Sequence, residues 1–281
     1  MRRIALALTA LVLGTSALSA CGGGSSDTVV DKAKNDKKLT IGIKTDQPGL
    51  GLQGANGYSG FDVDVANYIA KKLGADKVEF KKTTSDVREQ YIQQGDVDLV
   101  IATYSINDER KKKVSFAGPY LITGQDILVR ANDTSINSVD DLKEKKVCGA
   151  SGSNSPARLA EKFGGSSDVA NDWGKKHLNL LNGYGACLPL LENGTVDAVS
   201  TDATILAGFA KDSPGKFKLV NKPFSTEKYG IGLKLDDKTS RDAINDALEE
   251  MFKDGSWAKA INANFGEFGS AFTTPPTVER Y

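Results

Sequence analysis

Two short polar segments are the first candidates for chemistry in this 281-residue chain. Thr103-Tyr104-Ser105 closes one predicted strand, and Ser200-Thr201-Asp202 closes another. Each strand has the same lead-in, a helix ending in Gly and then Asp96-Val97-Asp98-Leu99-Val100 or Thr195-Val196-Asp197-Ala198-Val199. Open α/β sheets bind ligands outside the carboxyl ends of their strands. Two such edges therefore suggest a binding cleft between two lobes. Other chemistries have little material. His177 is the single histidine, and no nucleophile-elbow pattern accompanies it, so a Ser-His-Asp triad is not expected. Three cysteines and one histidine leave little for a zinc or iron–sulfur site, and no cofactor is expected. No G-x-x-x-x-G-K-[ST] run is present, so the chain is not expected to be an ATPase itself. Gly49-Leu50-Gly51-Leu52-Gln53-Gly54 matches a dinucleotide fingerprint, but Ala55-Asn56-Gly57-Tyr58-Ser59-Gly60 follows it as turn chemistry where a helix should open.

The elements that must carry these segments are legible. Strand candidates are Leu39–Thr45, Lys77–Thr83, Leu99–Thr103, Asp126–Arg130, Lys146–Gly149, Ala198–Thr201 and Gly230–Leu235. Phe61, Val65, Ile69 and Leu73 recur every four residues, an apolar helix stripe stopped by Gly74. Val87, Tyr91 and Ile92 mark a second helix, and Ala157–Phe163, Cys187–Leu191 and Ala243–Phe252 mark three more. This alternation predicts an α/β fold with mainly parallel sheets.

Charge is balanced, with 36 Lys plus Arg against 36 Asp plus Glu, which argues against a nucleic-acid partner. With 40% hydrophobic residues the chain can bury a core, and its length suggests about two domains. Residues 1–20 read as a secretory signal: Met1-Arg2-Arg3, an apolar run from Ile4 to Leu13, then small residues. Leu18-Ser19-Ala20-Cys21 resembles the bacterial lipobox, which implies cleavage before Cys21 and lipid attachment to its sulfur. Residues 21–37 are expected to be a flexible tether, beginning with Gly22-Gly23-Gly24-Ser25-Ser26. No other segment approaches the 18 consecutive apolar residues of a spanning helix. Cys148 and Cys187 would remain as an even pair outside the cytoplasm, either as a disulfide closing a loop of about 40 residues or as two buried thiols.

A set of motifs in fixed order goes further. Gly60-Phe61-Asp62-Val63-Asp64-Val65-Ala66, Ala102-Thr103-Tyr104-Ser105-Ile106-Asn107-Asp108-Glu109-Arg110 and Phe116-Ala117-Gly118-Pro119-Tyr120 are followed by Gly152-Ser153-Asn154-Ser155, Asp202 and Tyr229-Gly230-Ile231-Gly232-Leu233. With the lipobox, these resemble the family 3 (polar amino acid) solute-binding proteins of ABC importers. The resemblance spans Leu39 to Phe265. Asp46-Gln47-Pro48-Gly49-Leu50-Gly51-Leu52 and Thr201-Asp202-Ala203-Thr204-Ile205-Leu206 resemble the actinobacterial glutamate-binding lipoproteins in particular, as does the Cys148/Cys187 pair.

The resemblance implies a two-lobed periplasmic-binding fold of type II, closing on one amino acid by hinge motion. It places lobe 1 at 38–122 plus 228–281 and lobe 2 at 123–227. It also implies roles for individual residues. Arg110 would grip the ligand's α-carboxylate through its planar fork, with the backbone N–H groups of Ser105 and Asn154 adding donors. Asn154 stands where Thr is usual. Asp202 would take the α-ammonium, helped by Thr103, Ser105 and the Ala102 carbonyl. Lys44 and Arg88 match cationic positions for a second carboxylate, and Tyr184 could add its hydroxyl. Gln53 stands where glutamate binders carry Arg or Lys. It is either a rim residue or a sign of relaxed selectivity toward glutamine and asparagine. The plainer alternatives are a surface ion pair of Arg110 with Asp108 or Glu109, an N-cap role for Asp202 before Ala203, and solvated cations at Lys44 and Arg88.

The expected function is an extracellular, lipid-anchored, monomeric protein that binds glutamate or aspartate and delivers it to an ABC permease and its ATPase. Glutamine or asparagine binding is the alternative within this class. A dehydratase of the same fold and a sensory module are the rivals outside it. Lys111-Lys112-Lys113, His177, Trp173 and Trp257 are expected to be structural or solvated.

Overall fold

The computed structural model of the protein describes residues 28–272 and 274–280. The signal peptide expected at 1–20, the lipid attachment expected at Cys21 and the first residues of the expected tether lie outside the described residues. In chain order, α1 (Val29–Asn35) leads into β1 (Lys38–Ile43), and β2 (Asp46–Gln47), β3 (Gly51–Gly54) and β4 (Gly57–Ser59) follow. Then come α2 (Phe61–Leu73), β5 (Lys77–Lys82), α3 (Arg88–Gln94), β6 (Leu99–Val100), α4 (Asp108–Lys111) and β7 (Ser115–Thr123). The next segment holds β8 (Gln125–Arg130), β9 (Val147–Ala150), α5 (Asn154–Gly164), α6 (Asp172–His177), β10 (Leu178–Leu181), α7 (Cys187–Glu192), β11 (Ala198–Asp202), α8 (Ala203–Asp212) and β12 (Phe217–Leu219). The chain closes with β13 (Glu227–Leu233), α9 (Lys238–Lys253) and α10 (Ser256–Phe265).

These strands make two five-stranded sheets and one small hairpin sheet. The first runs β5-β1-β6-β13-β7 and the second β10-β9-β11-β8-β12. In each, three strands are parallel and the fourth is antiparallel to both of its neighbours. The expectation of mainly parallel pairing is therefore only partly met. The antiparallel strands are β13 and β8, the two that enter a sheet directly from the other lobe, so the crossings themselves set their direction. Helices cover the sheets as the apolar stripes require. Phe61, Val65, Ile69 and Leu73 of α2 are all buried, and Gly74 ends the helix in the left-handed conformation that a Cβ would disfavour. Phe61 sits among the rings of Tyr120, Trp257 and Phe265, and the Trp257 indole donates to the Tyr120 carbonyl at 2.8 Å.

Several expectations need correction. The tether does not extend to residue 37. Thr28 and Asp31 form a capping box, and Val29, Val30 and Ala33 bury one face of α1. Ser240 and Asp237 of the α9 start accept the backbone N–H groups of Val30 and Val29. Apolar spacing within a polar stretch is enough to dock it. β7 escapes the sequence pattern because Gly118-Pro119 reads as a turn. In the sheet these residues are absorbed by a register shift against β13 between Tyr229 and Ile231. The G-x-G-x-x-G run forms part of the β2–β3–β4 hairpins. Cys148 and Cys187 are joined in a disulfide, pinning α7 to β9. Trp173 stacks on His177, whose Nδ1 lies 3.1 Å from the Lys145 carbonyl, and the Trp173 indole donates to Lys143, so both serve packing.

Candidate functional site

Carboxyl ends of strands from both sheets converge on one narrow cleft. From the first sheet side it is lined by Ser85, Arg88, Thr103, Ser105 and Arg110. From the second come Gln125, Ser153, Asn154, Ser155, Tyr184, Thr201, Asp202 and Ile205. Local structure explains each placement. After β6 the chain leaves the sheet because Thr103 adopts φ 46°, unusual for a β-branched residue. The strain is held by buried partners: Asp62 accepts the Thr103 N–H at 3.0 Å, and Gln47 accepts its hydroxyl at 3.1 Å. Asn107 then caps α4 by accepting the Arg110 N–H at 2.9 Å, which turns Arg110 inward. Across the cleft, Asn154 is the first residue of α5, where backbone N–H groups lack intrahelical acceptors. Such a helix start favours a carboxylate.

Cations dominate the first wall. Arg110 is 7% exposed and donates to the Ser105 carbonyl at 2.7 Å and, across the cleft, to the Gly152 carbonyl at 3.2 Å. Burial and the neighbouring Arg88 push it down to about 10. Arg88 is 2% exposed; its guanidinium lies 3.9 Å from the Tyr104 ring centre and donates to the Ala102 carbonyl at 3.3 Å. Its Nε is buried without a hydrogen-bond partner among the described residues. Lys44 donates to Ser85 at 2.8 Å and is pushed down to about 7, by burial first and Arg88 second. Glu89 is the compensating acid on this side, 3.6 Å from Arg110 and accepting the Tyr104 hydroxyl at 2.7 Å.

The second wall carries the opposite sign. Asp202 occupies the N-cap position of α8, yet its carboxylate makes no capping bond. It accepts the Tyr229 hydroxyl at 2.6 Å, while burial and the Glu227 charge push it up to about 7. Glu227, on β13 and 1% exposed, pairs with Arg158 at 2.8 Å and accepts from Asn154 at 3.2 Å and Ser225 at 3.0 Å. Tyr184 is buried, 2.7 Å from the Ser153 hydroxyl, and burial pushes it up to about 12.

Arg110, Ser105, Asn154, Thr103, Asp202, Arg88 and Tyr184 thus surround one cleft. Arg110 does not pair with Asp108 or Glu109 at the surface; Glu109 pairs with Lys112 instead. Lys44 stands one hydrogen bond behind the cleft, through Ser85, and is buried rather than solvated. Two expected contacts are not among the residues that line the cleft. The Ala102 carbonyl is taken by Arg88 and does not line the cleft. Gln53 is exposed on β3, opposite Tyr58 in the hairpin, and is not among the residues that line the cleft. The sequence reading did not single out Gln47, Ser85, Glu89, Gln125 or Glu227. Gln47 lies inside a quoted motif without a role of its own, the other four lie at no quoted motif position, and only folding brings them to the cleft or its supporting shell.

The comparisons with known proteins agree with this geometry. The model of the bacterial extracellular solute-binding proteins, family 3, matches residues 39–267. The glutamate-binding protein of Corynebacterium efficiens is 40% identical, with 94% of this chain and 91% of that protein covered. The glutamine-binding protein of an ABC transporter in Bacillus subtilis is 34% identical, over 85% of this chain and 89% of the relative. Among solved structures, an ancestral arginine-binding protein bound to glutamine shares 37% identity with a TM-score of 0.74, covering 82% of this chain and 99% of that one. Two lobes, a cleft at their strand ends and these matches make the chain a member of the bacterial extracellular solute-binding proteins, family 3.

Proposed function

We propose that this chain is the ligand-binding component of an ABC amino-acid importer and that its ligand is L-glutamate, with L-aspartate next. One observation carries the reading. Three buried cations, Lys44, Arg88 and Arg110, gather on one wall, with Glu89 beside Arg110 and with Asp202 and Glu227 on the opposing wall. Such a gathering of buried cations suits a ligand with a second carboxylate, and Asp202 suits its one ammonium. The α-carboxylate goes to Arg110 and the α5 start, and the ammonium to Asp202. The second carboxylate goes to Arg88, whose Nε lacks a partner among the described residues, and to the Ser85–Lys44 pair. Each charge-assisted hydrogen bond contributes roughly 1.5–3 kcal/mol, so an amide in place of that carboxylate costs glutamine at least about tenfold in affinity. The exposed position of Gln53 removes the reason to expect relaxed selectivity. The names of the Corynebacterium relatives point the same way.

Binding works by closure. Hydrogen bonds cross between the lobes, among them Arg110 to the Gly152 carbonyl, Asn107 to Asn154 at 3.1 Å, the Gly185 N–H to Asp46 at 3.0 Å, and Tyr229 to Asp202 at 2.6 Å. A ligand that touches both walls favours this closed arrangement, and its differential affinity for the two forms sets how far the population moves. The protein acts as a monomer outside the cytoplasm, anchored through a lipid on Cys21, and hands its ligand to a permease whose ATPase supplies the energy. It performs no chemistry on the ligand. Calorimetric titration of twenty amino acids tests the reading. Glutamate binding at least tenfold tighter than glutamine supports it, and a preference for glutamine or for a basic amino acid overturns it. Arg110→Ala is expected to abolish binding of every amino acid in the panel.

A further inference from the structure

Gln125 is the first residue of β8 and sits on the crossing between the lobes, where sequence reading saw only a connection. It is 1% exposed and lines the cleft. Its main chain is fixed, since its N–H donates to the Ser225 hydroxyl at 3.1 Å and its carbonyl accepts from Phe224 at 2.9 Å. In the antiparallel pairing of β11 with β8, Gln125 lies directly opposite Asp202. Directly opposed residues project from the same face of a sheet, with Cβ atoms roughly 4.5–5.5 Å apart. The next residue, Asp126, alternates to the other face and is occupied with the N–H groups of Ile127 and Lys222.

The side-chain oxygen of Gln125 is buried and has no hydrogen-bond donor among the described residues. Buried acceptors in folded proteins are nearly always satisfied, so each exception asks for a partner. Asp202 cannot supply a hydrogen as a carboxylate, because it then only accepts. An ammonium group carries three donors and no acceptor, and a single carboxylate leaves part of that capacity unused. We propose that Gln125 is a ligand-contacting residue, its amide oxygen accepting a hydrogen bond from the ligand's α-ammonium beside Asp202. The assignment rests on the amino-acid-binding reading above and extends it. The ammonium subsite is then a mixed pair, one charged acceptor from β11 and one neutral acceptor from β8. Because β8 begins at the crossing, this contact also ties the ligand to the segment that moves in closure.

The test uses the full chain and L-glutamate. Calorimetry compares the natural protein with Gln125→Met, which keeps length and removes the acceptor. Its affinity is expected to fall by about tenfold, the loss that goes with one hydrogen bond to a charged group, while the melting temperature without ligand stays the same. A dissociation constant within twofold of the natural protein's overturns the proposal. A crystal structure of the natural protein with bound glutamate decides independently of any variant. The amide oxygen within 3.2 Å of the ligand nitrogen supports the assignment, and a separation beyond 3.5 Å refutes it. If glutamate does not bind but another amino acid does, the glutamate reading fails and the same two measurements are made with that amino acid. If no α-amino acid binds, both readings fall together.

Discussion

The hydroxyl of Tyr229 donates to Asp202 Oδ2 at 2.6 Å, and the same hydroxyl lies 3.0 Å from Thr204. One phenol thus joins the returning hinge strand β13 to the start of α8 and holds the carboxylate proposed for the ammonium. This bond favours the charged form of Asp202 against burial and the Glu227 charge. Tyr229→Phe is expected to raise the pKa of Asp202 further and to weaken glutamate binding several-fold at pH 7. The loss should shrink at higher pH, where Asp202 is charged regardless. A titration repeated at pH 6, 7 and 8 measures both effects; a loss independent of pH contradicts this role.

Glutamate affinity is expected to pass through a maximum near neutral pH. Asp202, raised to about 7, must be charged to take the ammonium, so affinity falls as pH drops through that value. Lys44, lowered to about 7, must be protonated to attract the second carboxylate, so affinity also falls as pH rises through it. Each limb is limited to a change of about tenfold per pH unit, one proton being involved. Lys44→Met should remove the alkaline limb below pH 9 and leave the acid limb in place. Dissociation constants for both proteins from pH 5 to 9 check this.

Arg88→Ala is expected to weaken glutamate by about tenfold or more while changing glutamine much less, because one charge-assisted bond is lost. Part of the effect will come from Tyr104, which loses a guanidinium 3.9 Å from its ring centre. The ratio of the two affinities is the informative number. Equal losses for the two ligands show that Arg88 does not face the second carboxylate.

Closure itself can be tested away from the ligand. A Cβ on Gly208 of α8 would lie 2.1 Å from the Pro48 carbonyl oxygen across the lobes, a distance that forces the backbone to move. Gly208→Ala is expected to weaken all amino-acid ligands by a similar factor, about tenfold or more if closing the lobes then costs 1.4 kcal/mol. The ligand-free melting temperature should not fall, since Ala suits a helix better than Gly. Small-angle scattering with saturating glutamate should show a less compact protein than the natural chain.

The disulfide contributes to the second lobe alone. It ties residues 39 apart in sequence and clamps α7 onto β9. Cys148→Ser with Cys187→Ser is expected to cost about 2–5 kcal/mol of stability. Denaturant unfolding under oxidising conditions measures this, and addition of a reductant should bring the natural protein down to the level of the double variant.

Much of the fold was legible because periodic apolar residues and glycine stops are local signals. The stripe Phe61, Val65, Ile69, Leu73 with Gly74 matches α2, and seven strand segments match strands of the two sheets. β7 was missed because Gly118-Pro119 interrupts its pattern, and β10 because its four residues are only half-buried. Among site residues, Arg110 and Asp202 stood out because they belong to contiguous motifs. Gln125, Glu227 and Ser85 did not, each being an ordinary residue in an ordinary stretch.

Residue types and their spacing by themselves determined that this chain makes α/β elements with polar strand ends, and which motifs it shares with amino-acid-binding proteins. Only the tertiary structure decided which of the candidate groups meet. It put Gln53 in solvent and Lys44 behind Ser85, and it set Gln125 opposite Asp202. The physical reason is range. Helix stripes and glycine stops act over a few residues, whereas the charge and hydrogen bonding of a buried group depend on neighbours that folding brings from 50 or 100 positions away.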